Sequence, residues 1–457
     1  MNVFHSIKNK ITQPHAGAGL KPGFFHFSRH EGDNKKELHL RIEQDGNSIL
    51  LVNANRIYHF NPSATVMAHM ILDNENFETI ANKISKIFDI DKNHAMKDIQ
   101  NFNYQFQPII SPLGDPCPIC DLGLETLAPF SQKPSAPYRM DLALTYRCNN
   151  DCIHCYNERE RAKNELSTEQ WKEVLDKVWQ IGIPHVVFTG GEPTLREDLP
   201  DLIKYAQAVG LVTGVNTNGR RLKDKDYVQR LVTSGLDHIQ ITMESHNPEI
   251  HDEIVQHSGA WSQTTNGIRN ALNNKLFVMT NTTLLQNNTK ELKQTLEFLG
   301  GLGHPTIGLN GLIKSGRGAT SLDGLDEKDL PTLLSMAQGI TQKQNQRLIW
   351  YTPTQYCDFD PVFMGLGVKG CSAALYSMCI EPDGSVLPCQ SYYQSLGNFL
   401  CNDWESIWHH EIALNLRDRH YILEKCRDCS LLKECGGGCP LTIQKNDINT
   451  CEQEMKA

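Results

Sequence analysis

From about residue 138 to residue 312 the chain alternates strand-like and helix-like segments six times, and this alternation limits the fold more than any other feature. The strand-like segments are RMDLALTY, HVVFTG, LVTGVNT, HIQITM, LFVMTNTTL and TIGLNGL. Helical patterns lie between them. The first, STEQWKEVLDKVWQ, opens on a capping box formed by Ser167 and Gln170. Strands that return through helices pair in parallel, so the expected class is α/β, with a parallel sheet that is open or curled as a partial barrel. The polar residues sit at the C-terminal ends of these strands, where such folds place their sites.

Cysteine usage narrows the chemistry. There are fifteen, none before Cys117, and ten lie between Cys357 and Cys451. The count is odd, and MNVFHSIKNKITQPHAG has no apolar run followed by a small-residue cleavage site, so a secreted disulfide scaffold is not expected. In a reducing compartment such clustering points to thiolates that hold metal or iron–sulfur clusters. Lys plus Arg is 44 against 53 for Asp plus Glu, a formal charge of -9, which argues against a nucleic-acid partner. The longest apolar runs, such as Val186-Val187-Phe188, fall far short of the ~20 residues of a membrane span. A cytoplasmic protein without membrane or nucleic-acid contacts is the expectation.

Directly after the first strand stands Cys148-Asn-Asn-Asp-Cys152-Ile-His-Cys155. Three thiolates on one short loop can hold three corners of a four-iron cluster and leave the fourth iron open. One βα unit later comes Gly190-Gly191-Glu192-Pro193, with glycines that permit close approach of a ligand and a carboxylate that can accept from an ammonium. The C-x3-C-x2-C spacing followed by GGEP resembles the radical S-adenosylmethionine (SAM) superfamily. That resemblance implies one SAM-binding [4Fe-4S] cluster on Cys148, Cys152 and Cys155, with SAM on the open iron, its amino group gripped by residues 190–193, and cleavage to a 5′-deoxyadenosyl radical. Asn216 and Thr242, with Asn218 and Glu244, are placed to reach the ribose and carboxylate; ordinary strand-end capping is the other reading. His154 occupies a slot that is usually aromatic beside the adenine, where an imidazole can still stack. A zinc site made from the same three cysteines is the competing chemistry.

The tail reads Cys371, then Gly384, Cys389, Cys426-x2-Cys429-x5-Cys435-x3-Cys439 and Cys451. EPDGSVLPC supplies a Pro-Asp-Gly hairpin turn that brings Cys389 back. The array resembles the SPASM extension of radical SAM peptide maturases, and the resemblance implies two auxiliary [4Fe-4S] clusters. Cys371, Cys389 and Cys439 would serve the first; Cys426, Cys429, Cys435 and Cys451 the second. Cys379 is available as the fourth ligand of the first cluster, unless that iron stays open to substrate. Zinc knuckles are the rival reading, and Cys357 and Cys401 read as core or loop residues.

Residues 1–110 read as a small α+β unit, with strands ELHLRIE, SILLVN and RIYHF, a turn at Ala54-Asn55, and three helices, the first capped by Asn61-Pro62. Three strands leading into three helices is winged-helix-like, but basic and acidic residues nearly cancel here. The NPSA turn at residues 61–64, Ile71 to Asp73, and FETIANKISKIFDID resemble a PqqD-like recognition element, which implies capture of a leader peptide by strand addition. Packing alone is the plainer role. Residues 111–137 read as a linker in which Cys117 and Cys120 form an unassigned CxxC.

The expected architecture is therefore a recognition domain (1–110), a linker (111–137), a partial (β/α)6 barrel radical SAM core (138–345) and a cysteine-rich SPASM extension (346–457). The resemblance implies a radical SAM oxidoreductase that modifies a ribosomally made precursor peptide, through thioether or carbon–carbon crosslinks, with flavodoxin or ferredoxin as electron donor. Rivals are a maturase of a folded protein partner, of the sulfatase- or amine-dehydrogenase-maturase kind, and a non-catalytic iron–sulfur or zinc scaffold that binds peptide. No catalytic acid or base is singled out by spacing.

Overall fold

The computed structural model describes residues 20–32, 34–53, 56–112, 134–157 and 164–443. The Ala54-Asn55 turn, Cys117, Cys120 and Cys451 lie outside the described residues. The chain divides into two compact units, Met1–Thr126 and Leu127–Ala457. Among the described residues no helix is long and apolar enough to cross a membrane.

The N-terminal unit is a four-stranded antiparallel meander followed by three helices. Its strands are β1 (Gly23–Glu31), β2 (Asn34–Ile42), β3 (Ser48–Val52) and β4 (Arg56–Phe60), and its helices α1 (Pro62–Leu72), α2 (Phe77–Phe88) and α3 (Lys92–Ile110). The sequence reading anticipated three strands; β1 is the addition, paired with β2 from Gly23↔Ile42 to Glu31↔Asn34. Only Phe25 and Phe27 of this half-buried edge strand pack against the core, so its apolar signal is short. Leu38, Leu40, Leu50 and Val52 of the sheet meet Val66, Ile80, Ala95, Ile99 and Phe106 of the helices. Caps stop the helices from fraying: Asn61 accepts from the Ala64 N–H at 2.9 Å and Asn76 from that of Thr79 at 2.8 Å.

The second unit is built on one nine-stranded sheet. Its strands and helices follow in the order β5 (Arg139–Thr145), α4 (Thr168–Ile181), β6 (His185–Gly190), α5 (Leu199–Val209), β7 (Val212–Thr217), α6 (Lys225–Thr233) and β8 (His238–Thr242). Then come α7 (Pro248–Val255), α8 (Ala260–Asn273), β9 (Phe277–Thr283), α9 (Leu292–Gly301), β10 (Thr306–Asn310), α10 (Leu330–Lys343), β11 (Arg347–Trp350), β12 (Ser377–Ile380) and β13 (Val386–Leu387). The spatial order is β11-β10-β9-β8-β7-β6-β5-β12-β13, so β5 to β11 are parallel neighbours in chain order. The sheet runs across the boundary expected at residue 345: β11 extends one end and β12 pairs in parallel with β5 at the other. Residues 351–376 cross from one end to the other.

Strand alternation sorts the side chains. Met140, Leu142, Leu144, Val186, Phe188, Ile239, Ile241, Val278, Ile307 and Leu309 face the helices in the main core. The residues between them, among them Asp141, Thr189, Gly214, Asn216, Gln240, Thr242, Asn281 and Asn310, face the other way, onto a surface that is largely polar. The sheet curls about this polar face. In a flat sheet β5 and β11, six places apart, would be separated by roughly 29 Å, yet Arg139 and Arg347 both act electrostatically on the buried Tyr351 phenol. With unpaired ends, this is an open, partial barrel.

Candidate functional site

The loop after β5 carries Cys148, Cys152 and Cys155, all half-buried, at the C-terminal end of the barrel. It is fastened from three sides. The N–H groups of Asp151 and Ile153 donate to the carbonyls of Val255 and Ile254 at the end of α7, each at 3.0 Å. Arg220 reaches from the β7 side to the Asn149 carbonyl and, at 2.8 Å, to the Asn150 side chain. The segment after β10 closes the third side: Arg317 N–H donates to the Cys155 carbonyl at 2.9 Å, and its guanidinium pairs with Asp151 at 2.8 Å. Gly316 is needed there, since a Cβ would stand 2.7 Å from the Cys155 carbonyl oxygen. Sequence reasoning missed Arg220, Arg317 and Gly316. Their spacing from the cysteines, roughly 65–170 residues, leaves no local signal.

Gly190 and Gly191 join β6 to this loop. Added Cβ atoms would stand 2.1 Å from the Thr145 carbonyl oxygen and 2.4 Å from that of Arg147. The close approach that requires these glycines is thus that of β5's own backbone, sealed by Gly191 N–H to Thr145 at 2.7 Å and Glu192 N–H to Arg147 at 2.9 Å. Pro193 starts a short 3-10 turn. Glu192 is 1% exposed, and its carboxylate accepts from the Thr194 N–H (3.1 Å), the Thr194 hydroxyl (2.6 Å), the Thr217 hydroxyl (2.6 Å) and the Asn218 N–H (2.8 Å). Burial raises its pKa, and these bonds oppose the rise. The carboxylate stitches the end of β6 to the end of β7.

Asn216 and Thr242 lie on the polar inner face, in register with Gln240 and Asn281. His154 does not stand alone: its Nε2 is 3.1 Å from Oε1 of the fully buried Glu244, whose Oε2 accepts from the Thr283 N–H at 2.9 Å. Among the described residues, His154 Nδ1, Asn281 Oδ1 and Asn310 Oδ1 are buried here without a hydrogen-bond partner. Native proteins satisfy such atoms, so a polar ligand at this end of the barrel fits. The thiols fit as well. Burial raises the Cys152 thiol, and Cys155 and Cys148 raise it further, so the three are neighbours. No three His, Cys, Asp or Glu side chains converge on one ion-sized point among the described residues. Three neighbouring thiols on one short loop suit a cubane, which offers each its own iron.

The cysteines of the tail fall into two groups. Burial, then Cys439 and Cys389, raise the Cys371 thiol, and burial pushes Cys389 up to about 12. Cys426 is raised by burial and by Cys435 and Cys429, against Lys425. Cys379 is fully buried on β12 among Ala143, Tyr146 and Leu387, with Cys389 near enough to act on it. The turn at Pro382-Asp383-Gly384 is a hairpin, with Gly384 at φ 88° and antiparallel pairing of Cys379 with Leu387. Cys357 and Cys401 are exposed, and Cys357 stands beside Cys426. The first group is tied to the three-cysteine loop: the Tyr156 hydroxyl, next to Cys155, donates to the Gln390 side chain, next to Cys389, at 3.1 Å.

Residues 142–299 match the radical SAM superfamily and residues 371–430 the SPASM iron–sulfur cluster-binding domain. The chain is 29% identical over 307 residues to PqqA peptide cyclase of Granulibacter bethesdensis, covering 65% of this chain and 80% of that protein. It is 26% identical over 325 residues to Fe-coproporphyrin III synthase of Methanosarcina barkeri, covering 64% and 81%. Among solved structures it is similar in fold to Streptococcus suis SuiB bound to S-adenosylmethionine, at 15% identity and a TM-score of 0.66 over 91% of this chain and 96% of that one. SuiB bound to its precursor peptide SuiA gives a TM-score of 0.65 at 15% identity, over 88% and 94%. The cysteine loop, the barrel that carries it and both matched regions make this chain a radical SAM enzyme with a SPASM iron–sulfur domain.

Proposed function

We propose that the enzyme modifies a ribosomally made precursor peptide, with the leader held by the N-terminal unit and a core residue presented inside the barrel. The observation that carries this reading is the extent of the likeness to peptide-bound SuiB. It spans 88% of the chain and so includes the N-terminal unit, whereas peptide-bound anSMEcpe covers 66%. That unit has the means. β4, like β1, is an edge of its sheet, and a leader strand would add to it in the manner of a PqqD-like element.

Cys148, Cys152 and Cys155 would hold the SAM-binding [4Fe-4S] cluster, and residues 190–193, His154, Asn216 and Thr242 would surround SAM. When bound, cluster and SAM together supply a 5′-deoxyadenosyl radical that takes a hydrogen atom. The chain's part is positioning and exclusion of water: Arg220 and Arg317 fix the cysteine loop, Glu192 fixes the two strand ends, and the polar face lines the reaction space. Cys371, Cys389 and Cys439, with Cys379 as a further thiol, would hold the first auxiliary cluster, and Cys426, Cys429, Cys435 and Cys451 the second. Flavodoxin or ferredoxin would deliver electrons, in the cytoplasm.

The test is intact mass. Each short peptide encoded beside the gene is co-expressed anaerobically with wild-type protein and with Cys148→Ala. A loss of two hydrogens that needs Cys148 is the expected result and identifies an oxidative crosslink. No change in any peptide, with SAM still cleaved, moves the assignment to a folded-protein substrate.

A further inference from the structure

The tail pattern gives Cys357 no role, yet the structure sets this thiol beside the second group of tail cysteines. Cys357 is exposed and lies in the segment that crosses between β11 and β12. Its backbone is held firmly. The fully buried Thr354 donates from its hydroxyl to the Phe359 carbonyl at 3.2 Å, and the Gln355 N–H donates to the Glu327 carboxylate at 3.2 Å. The Tyr356 hydroxyl accepts from the Lys369 N–H at 2.9 Å. The N–H groups of Asp358 and Phe359 both donate to the Gln355 carbonyl, each at 2.9 Å, which closes a turn with Cys357 inside it.

That turn is seated on the tail. The Tyr356 N–H donates to Cys435 Sγ at 3.4 Å, and the Cys435 thiol lies 3.7 Å from the Thr354 carbonyl oxygen. Gln355 Nε2 donates to the Gly437 carbonyl at 3.5 Å, and a Cβ on Gly438 would stand 3.0 Å from Gln355 Cγ. Cys357 is thus one residue, an α-carbon step of roughly 3.8 Å, beyond the residue bonded to the Cys435 sulfur. In keeping with that placement, Cys426 acts electrostatically on the Cys357 thiol, and Cys435 and Cys429 act on the Cys426 thiol. Four thiols from two distant stretches of chain are therefore neighbours. The Cys357 thiol lies 3.8 Å from the Asp358 carboxylate, a long contact that ligation can displace.

A [4Fe-4S] cluster held by protein alone takes four thiolates. We propose that Cys357 is one of the four at the second auxiliary cluster, with Cys426, Cys429 and Cys435, in the place that the tail pattern gives to Cys451. This assignment rests on the reading of that group as an iron–sulfur site. Each thiol releases its proton to solvent as iron binds, and no electron is exchanged. The cluster then staples the crossing segment to the tail. The bond from the Tyr356 N–H to the Cys435 sulfur becomes one of the contacts that set its potential.

The test needs no activity. Full-length protein is reconstituted anaerobically with iron and sulfide, then alkylated with iodoacetamide before and after a chelator removes the iron. Peptide mass mapping follows each cysteine. In the loaded protein Cys357 should be alkylated at least about tenfold less than Cys401, which is also exposed, and equally once the iron is gone. Cys451 should be alkylated in both states. Iron analysis is the second readout: Cys357→Ala and Cys426→Ala should each lose about four iron atoms per chain, and Cys451→Ala should keep them. Alkylation of Cys357 in loaded protein to the level of Cys401 overturns the assignment, as does loss of that iron in Cys451→Ala and not in Cys357→Ala. If Cys357→Ala does not fold, the wild-type alkylation pattern decides alone. Full iron in Cys426→Ala removes the second cluster itself, and with it the reading on which the assignment rests.

Discussion

Glu192 has a structural role beside the one its motif implies. The GGEP segment implies a grip on the SAM amino group, and within the chain the Glu192 carboxylate accepts from Thr194, Thr217 and Asn218 while the glycines make room for the backbone at the end of β5. Oε1 of Glu192 takes three of these bonds and Oε2 one. Glu192→Ala should lower the stability of the metal-free protein by on the order of 3 kcal/mol, because several buried donors lose their acceptor at once. Urea denaturation of apoprotein measures this. Unchanged stability would show that the side chain serves only the cofactor. The residue type and its spacing were legible in sequence. Its partners lie on the next strand and were not.

Among the elements, the segment after β10 is the one that most changes the account of the site. The sequence reading gives it no role, but it braces the cysteine loop through Arg317 and connects to the auxiliary region through the Ser315 hydroxyl, which donates to the Ser391 carbonyl at 2.8 Å. Gly316 has φ 52° and lies against the Tyr156 and Cys155 carbonyl oxygens, so Gly316→Ala is both strained and crowded. After reconstitution this variant should lack most of one cluster, about four iron atoms per chain, and lose the electron paramagnetic signal that responds to SAM. Full iron with an unaltered SAM response would remove the brace from the account. β1, β11 and β12 were also missed as parts of their sheets. Each is short or half-polar, and membership is decided by hydrogen bonds to partners far along the chain.

For the whole molecule, two cores are built from different residues. The N-terminal core draws on residues 38–110 and the barrel core on residues 136–416. Deleting residues 1–112 should therefore leave the barrel folded and SAM cleavage largely intact, while affinity for the precursor peptide falls at least about tenfold. Fluorescence anisotropy with a labelled peptide measures the fall. Unchanged affinity would return the unit to a packing role.

By itself the sequence determined the six βα units, the helix caps, the strand ends that carry polar residues, and the cysteine sets. Those properties depend on residue type and on periods of two, three or four residues, which are local. Tertiary structure alone decided that Glu192 accepts from Thr217 and Asn218, that His154 meets Glu244, and that Arg220 and Arg317 hold the cysteine loop. Each depends on strands closing around a polar face. That closure is set by packing and hydrogen bonds between residues distant in sequence, which no short-range pattern encodes.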